Sequence, residues 1–190
     1  MDRIILGSAS PRRKQLLEWA EIPFDVFPSD SEELIPEGMP VTDVPVFLAS
    51  EKAVRVREKT GDSKIVLAAD TIVVLDDRIL GKPLDRADAI RMLTLLSGRV
   101  HQVITGVSLM LGTRETLFSE TTSVRFHPLT QTEIAHYVDH YHPYDKAGAY
   151  AIQEWIGVTG IHSIDGDFYN VMGLPVSRVL KELHSFRLNA

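Results

Sequence analysis

No cysteine occurs in the 190 residues of this chain. That excludes a disulfide framework, a thiolate metal site and a thiolate nucleophile. No apolar run approaches the ~20 residues that a bilayer-spanning helix needs. Met1-Asp2-Arg3 leads into Ile4-Ile5-Leu6, far too short for a signal-peptide core, so no leader and no membrane partner are expected. Together these absences predict a cytoplasmic protein. Positive charge is also in short supply, with 20 Lys and Arg against 26 Asp and Glu for a net charge of −6. A general nucleic-acid binder carries a basic face, so no nucleic-acid partner is expected. A small anion remains open, because a local cluster of Arg and Lys can be positive on an acidic protein. The chain has neither a Gly-x-x-x-x-Gly-Lys loop nor a Gly-x-Gly-x-x-Gly fingerprint, which argues against P-loop and Rossmann nucleotide sites. Its histidines form no helical His-Glu-x-x-His motif, and His136 and His140, four apart, read as a surface pair.

What is present is ordinary globular composition, 44% hydrophobic and 24% charged, long enough for one sizeable core or two small lobes. Residues 4–6 predict a first strand, residues 14–20 a helix and residues 24–28, which alternate, a second strand. Residues 29–45 are acidic and carry Pro36, Pro40 and Pro45, predicting a long loop of the kind that is often functional. A helix is expected over 46–59, capped by Thr42 or Asp43 and stopped by Gly61. Residues 65–75 form the most hydrophobic run and predict a central strand buried on both faces. Asp76-Asp77-Arg78 then turns into a short arm ending near Leu80-Gly81-Lys82-Pro83. A helix is expected over 85–96, followed by two strands, 99–111 and 115–126, joined near Gly112-Thr113. Thr130 or Thr132 caps a helix reaching Tyr141, residues 143–149 form a loop, 151–152 and 158–164 are strand-like, and 174–186 make a last helix. This irregular alternation, with a hairpin, predicts a mixed α/β sheet and not a regular parallel one.

The stretch Ser8-Ala9-Ser10-Pro11-Arg12-Arg13 joins the first strand to the first helix. Pro11 suits the first helical turn and Ser10 suits the cap before it. A helix N-terminus favours anions, and two arginines there add forked donors that match phosphate oxygens. The same six residues also suit an ordinary capped helix with two solvated arginines. Asp70 stands inside the apolar run, where an unpaired carboxylate is costly. It reads either as a strand-end aspartate capping a turn or pairing with an arginine, or as a metal ligand or general base held by a rigid strand. Thr71 points to the other face in an ideal strand, while at a bend both would reach one cleft. Lys82, on a constrained turn, can present an ammonium to a phosphate, but like Lys52 it also reads as surface. Glu32 and Glu33 are solvated acids or oxygen ligands for a hard cation. Gln153 carries donors and an acceptor, the equipment for reading the edge of a base.

In their order, these stretches resemble the Maf family of nucleoside triphosphate pyrophosphatases over nearly the whole chain. The marks are Ser8 to Arg13, Glu51-Lys52-Ala53, Ala69-Asp70-Thr71-Ile72-Val73, Gly81-Lys82-Pro83, and Leu96-Ser97-Gly98 with His101-Gln102-Val103-Ile104-Thr105-Gly106-Val107. Asp145-Lys146-Ala147-Gly148-Ala149-Tyr150-Ala151-Ile152-Gln153 and Asn170-Val171-Met172-Gly173-Leu174-Pro175 complete the set. The resemblance implies one domain over 1–190, an α/β fold with a mixed, twisted sheet in two lobes and a central cleft, related to inosine triphosphate pyrophosphatases. It implies hydrolysis of a nucleoside triphosphate to the monophosphate and pyrophosphate with a divalent metal, Mg2+ or Mn2+. Carried over by motif, Asp70 is the proton acceptor and, with Glu33, the metal ligand. Ser8, Ser10, Arg12, Arg13, Lys52 and Lys82 hold the triphosphate. Arg12, Thr71 and Gln153 fall at the specificity positions and resemble the subgroup acting on dTTP, UTP and modified uridine nucleotides.

Two alternatives stay open at this level: a regulator of septum formation and division that binds nucleotide or a partner, and an enzyme preferring non-canonical purine or 7-methyl-GTP nucleotides. A homodimer is a further expectation of the resemblance, with no apolar stripe in the sequence to mark it.

Overall fold

The computed structural model describes residues 3–29 and 34–188. The chain divides into two compact units. The first comprises Met1–Thr71, Thr105–Glu120 and Gly173–Ala190, and the second Ile72–Ile104 and Thr121–Met172. Among the described residues, seven strands hydrogen-bond in one mixed sheet, as the irregular element order predicts.

In the first unit, β1 (Ile4–Leu6) pairs in parallel with both β2 (Phe24–Val26) and β3 (Val66–Leu75). β3 is buried along nearly its whole length, which is why it reads as a continuous apolar run and not an alternating one. Helix α1 (Pro11–Trp19) starts as its residues dictate, with Pro11 in the first turn and the Ser10 hydroxyl accepting from the Arg13 N–H. Helix α2 (Val44–Thr60) begins two residues earlier than expected, because Pro45 is tolerated in a first turn that has no intrahelical N–H bond to lose. Asp43 is its N-cap by position but makes no side-chain cap bond, and Gly61 ends the helix with φ +84°. The core packs Ala53 and Val56 of α2 against Ile5, Val66, Ala68 and Met110. Gly106, on strand β5 (Val100–Leu111), permits close approach of the α2 start, since a Cβ there would lie 2.2 Å from the Pro45 carbonyl carbon. Leu109, Val179, Leu183 and Phe186 are also buried, the last three on α7 (Val176–Leu188).

In the second unit, β3 turns through Asp76 and Asp77, both with positive φ, into the antiparallel β4 (Arg78–Leu80). Helix α3 (Arg86–Leu96), capped by Asp85, packs against α4 (Gln131–Tyr141), whose start carries a full capping box of Thr130 and Glu133. Strand β6 (Arg114–Phe126) pairs antiparallel with β7 (Ile161–Asp165) through its second half.

Three expectations need correction. Residues 151–152 are not strand, and 158–160 belong to a short helix, α5 (Trp155–Gly160). Val158 and Thr159 have β propensity, but a tight turn before them redirects the chain. Glu154 N–H bonds the Ala151 carbonyl, and a Cβ at Gly157 would lie 1.7 Å from the Ile152 carbonyl oxygen. The last helix starts at Val176, just after Pro175, and a separate short helix, α6 (Phe168–Met172), precedes it.

His101 marks the core of the second unit. It is 2% exposed, stacks on Phe126 and places Nε2 2.7 Å from the Tyr150 hydroxyl. Burial lowers its pKa to about 4. An unfolded imidazole titrates near ~6.5, so between these values the unfolded chain binds a proton that the folded chain refuses. The stability from neutral His101 is therefore complete above ~6.5 and lost as pH falls toward 4, a change of about 3 kcal/mol. Urea unfolding at pH 7 and 4.5 should show His101→Gln losing about 2 kcal/mol less than the parent between these pH values. Equal losses in both proteins would contradict this.

Candidate active site

The first unit gathers most of the residues singled out in the sequence. Asp70 lies in mid-β3, 8% exposed, and its Oδ1 accepts from Lys52 Nζ at 2.5 Å. Lys52 comes from α2, and its side chain is 14% exposed, so it is a part-buried partner and not a solvated surface lysine. The ammonium compensates a carboxylate that the apolar strand alone would not tolerate. Asp70 Oδ2 has no hydrogen-bond partner among the described residues.

Strand alternation sends the next side chain, Thr71, to different partners. Arg13 Nη2 donates to Thr71 Oγ1 at 2.9 Å, and Thr105 Oγ1 lies 2.9 Å from the same oxygen. Arg13 also donates from Nε to the Gly173 carbonyl at 2.8 Å and from Nη1 to Ser8 Oγ at 3.1 Å. One guanidinium thus ties the end of β1, the middle of β3 and the turn before α7. The planar fork can serve three partners in fixed directions, which an ammonium cannot.

These bonds decide what the serines have left to offer. Ser8 Oγ accepts from Arg13 and from the Ser10 N–H at 3.2 Å, and Ser10 Oγ accepts from the Arg13 N–H at 3.4 Å. A hydroxyl has two acceptor positions and one proton. With both acceptor positions of Ser8 occupied, its remaining capacity is to donate. The Ser10 proton is likewise uncommitted among the described residues. Two hydroxyl donors at the start of a helix, with its N–H groups and partial positive charge, suit an acceptor-only anion such as phosphate.

Arg12, next to Arg13, makes no hydrogen bond or ion pair among the described residues. The two arginines therefore divide: Arg13 is engaged by the protein and Arg12 is available. In the second unit, Lys82 follows β4 and is exposed, on a turn whose Gly81 carbonyl accepts from the Gly148 N–H at 3.0 Å. Gln153 is exposed at the turn after Ile152. The side chains of Lys82 and Gln153 have no bonded partner among the described residues. Glu33 lies outside the described residues. No group of three or more His, Cys, Asp or Glu suited to a metal is found among those described. Mg2+ is commonly held by one or two carboxylates with phosphate oxygens and water completing its shell. The uncommitted oxygen of Asp70 fits that mode.

Sequence reasoning missed Thr105 and the Gly173 carbonyl as partners of this network. Thr105 is fully buried, and a hydroxyl within the apolar run 103–109 needs a partner, which was the available signal.

A carboxylate paired with a part-buried lysine thus stands one residue from a threonine that is wired to a helix start suited to an anion. The chain belongs to the Maf family: the family model for Maf-like proteins matches residues 3–186. A dTTP/UTP pyrophosphatase from Bacteroides fragilis is 46% identical over 182 residues, covering 95% of this chain and 94% of its own. Relatives of the same name from Porphyromonas gingivalis and Bacillus cytotoxicus are 47% and 48% identical, covering 97% and 98% of this chain and 94% and 96% of their own. Among solved structures, a HAM1 protein from Coxiella burnetii aligns with a TM-score of 0.46 and 18% identity over 66% of this chain and 73% of its own.

The division between the arginines has a stability signature. Arg13→Lys should lose at least two of the three guanidinium bonds to Ser8, Thr71 and Gly173, lowering unfolding free energy by about 2 kcal/mol. Arg12→Lys should stay within ~0.5 kcal/mol of the parent. Urea unfolding checks both, and equal effects would contradict the division.

Proposed function

We infer that this chain is a nucleoside triphosphate pyrophosphatase that splits dTTP and UTP into the monophosphate and pyrophosphate. Family membership and near-full-length relatives of that name support the reaction and the base class. The structural observation that carries the reading is Asp70, ionically paired with Lys52 and followed directly by Thr71 of the Arg13 network.

In this reading, Asp70 Oδ2 takes a proton from water as the water oxygen attacks phosphorus. The bond from that phosphorus to the bridging oxygen breaks, and pyrophosphate leaves with the bonding pair. Lys52 keeps the carboxylate in place. The hydroxyl protons of Ser8 and Ser10, the Arg12 N–H in the first turn of α1 and the Arg12 guanidinium neutralise phosphate oxygens, an effect that grows as charge develops. Lys82 is assigned to phosphate and Gln153 to the base, where its amide can both donate and accept. A divalent cation, Mg2+ or Mn2+, is assigned to Asp70, with Glu33 as its second carboxylate. It would supply charge neutralisation on the phosphates and a more acidic water. No helix among the described residues is long and apolar enough to cross a membrane, and a cytoplasmic location remains our reading of the composition.

Pyrophosphate release from a panel of triphosphates with Mg2+ or Mn2+ tests the assignment. We expect release from dTTP and UTP, its abolition by chelation and its return on adding metal. A purified protein that binds nucleotide without turnover would instead be a regulator, such as one acting in septum formation. A panel led by inosine, xanthosine or 7-methylguanosine triphosphates would overturn the pyrimidine assignment. Gln153→Glu replaces a donor and acceptor with an acceptor alone, so the kcat/KM advantage of dTTP and UTP should shrink ~100-fold or more. Unchanged selectivity would remove Gln153 from the role.

A further inference from the structure

We propose that Glu154 and Tyr137 are positioning residues that present Gln153 to the substrate base; this rests on Gln153 being the base reader. Residues 151–154 form a tight turn closed by the Glu154 N–H on the Ala151 carbonyl at 3.1 Å. Gln153 is its third residue and is exposed, with buried Ala151 and Ile152 before it. Both ends of the turn are held by one phenol. The Ala151 N–H donates to Tyr137 Oη at 3.1 Å, and the Tyr137 hydroxyl donates to Glu154 Oε2. Tyr137 lies on α4 with no exposed surface, so the anchor is set in the core.

Glu154 has a second tie. Its Oε1 lies 3.5 Å from the ammonium of Lys146, which also pairs with Asp145 Oδ1 at 2.7 Å. The Lys146 side chain is 11% exposed, so the ammonium needs its carboxylates. The two oxygens of Glu154 thus join Tyr137 to Lys146 across the base of the turn that carries Gln153.

The start of α5 independently shows where this side chain is committed. Glu154 is the N-cap of α5, yet it makes no side-chain cap bond. Acidic groups at helix starts are ordinarily stabilised by the N–H groups there. Here the carboxylate is turned away to Tyr137 and Lys146, and the helix start forgoes that contact. The geometry is built for the turn, not for the helix.

A double-mutant cycle tests this in the full-length enzyme, with kcat and KM measured for dTTP, UTP and a purine triphosphate, together with hydrogen exchange of residues 150–155. Tyr137→Phe and Glu154→Ala should each raise exchange at the Ala151 amide and reduce the pyrimidine preference ~10-fold, chiefly through KM. Glu154→Gln keeps an oxygen for the Tyr137 hydroxyl and should recover most of the preference. In the Gln153→Ala background, Glu154→Ala should add little, because the residue it positions is already gone.

Effects that multiply in the double variant would overturn the proposal, as would faster exchange with unaltered selectivity while Gln153→Ala does alter it. Equal loss of kcat on every nucleotide would also overturn it, as the mark of a merely structural role. If Gln153→Ala itself leaves selectivity unchanged, the base-reading assignment fails and the proposal fails with it, while faster exchange in the Tyr137→Phe variant would still report the clamp itself.

Discussion

A carboxylate in the middle of a buried strand is the constraint on which this structure turns. β3 is apolar on both sides of Asp70, and only a charge partner makes that position tolerable. Lys52 is that partner, and α2 must dock where its ammonium reaches Oδ1. The docking in turn needs a bare backbone at Gly106, where a Cβ would collide with Pro45. A buried ion pair of this kind is a poor way to gain stability, since apolar residues of similar volume would often do as well. It leaves one carboxylate oxygen uncommitted among the described residues on a rigid strand, and the proposed function makes use of that oxygen.

The neighbouring network follows the same logic with different groups. Arg13 is absorbed by Ser8, Thr71 and Gly173, and so becomes part of the scaffold. Because it and the Ser10 N–H together fill the acceptor positions of Ser8, that hydroxyl is left to donate. Arg12 makes no hydrogen bond or ion pair among the described residues. Two adjacent residues of identical type thus differ, one committed to the protein and one available to the ligand of the proposed function. In the second unit, Tyr137 and Glu154 secure a turn whose exposed residue, Gln153, has its amide uncommitted among the described residues.

Much of this was legible in the sequence where the cause is local. Ser10 before Pro11, Gly61 after a helical run and Thr130 three residues before Glu133 each act within a turn, and each stands where those rules place it. Asp70 was conspicuous because a charge in an apolar strand requires explanation. The ties that give Arg13 its role join residues 160 and 58 positions apart, beyond the reach of any local pattern. The partner of Lys52 was hidden for the same reason, since a lysine on a charged helix reads as surface until the strand it meets is known. α5 was missed because Val158 and Thr159 carry strand propensity, while the turn that overrides them depends on Tyr137 in another element. Glu154 stands beside Gln153 in the sequence, and its commitment to two distant side chains appears only in three dimensions.

The central claim is that Asp70 performs chemistry on a substrate that the surrounding residues bind. Separating binding from turnover tests it most directly. The Asp70→Asn variant keeps the shape and can still accept from Lys52, so its affinity for dTTP by calorimetry should stay within ~10-fold of the parent. Its single-turnover release of pyrophosphate should fall at least ~100-fold, the scale expected for loss of an acid–base group. Pyrophosphate release near the parent rate in a variant that still binds dTTP would contradict the account.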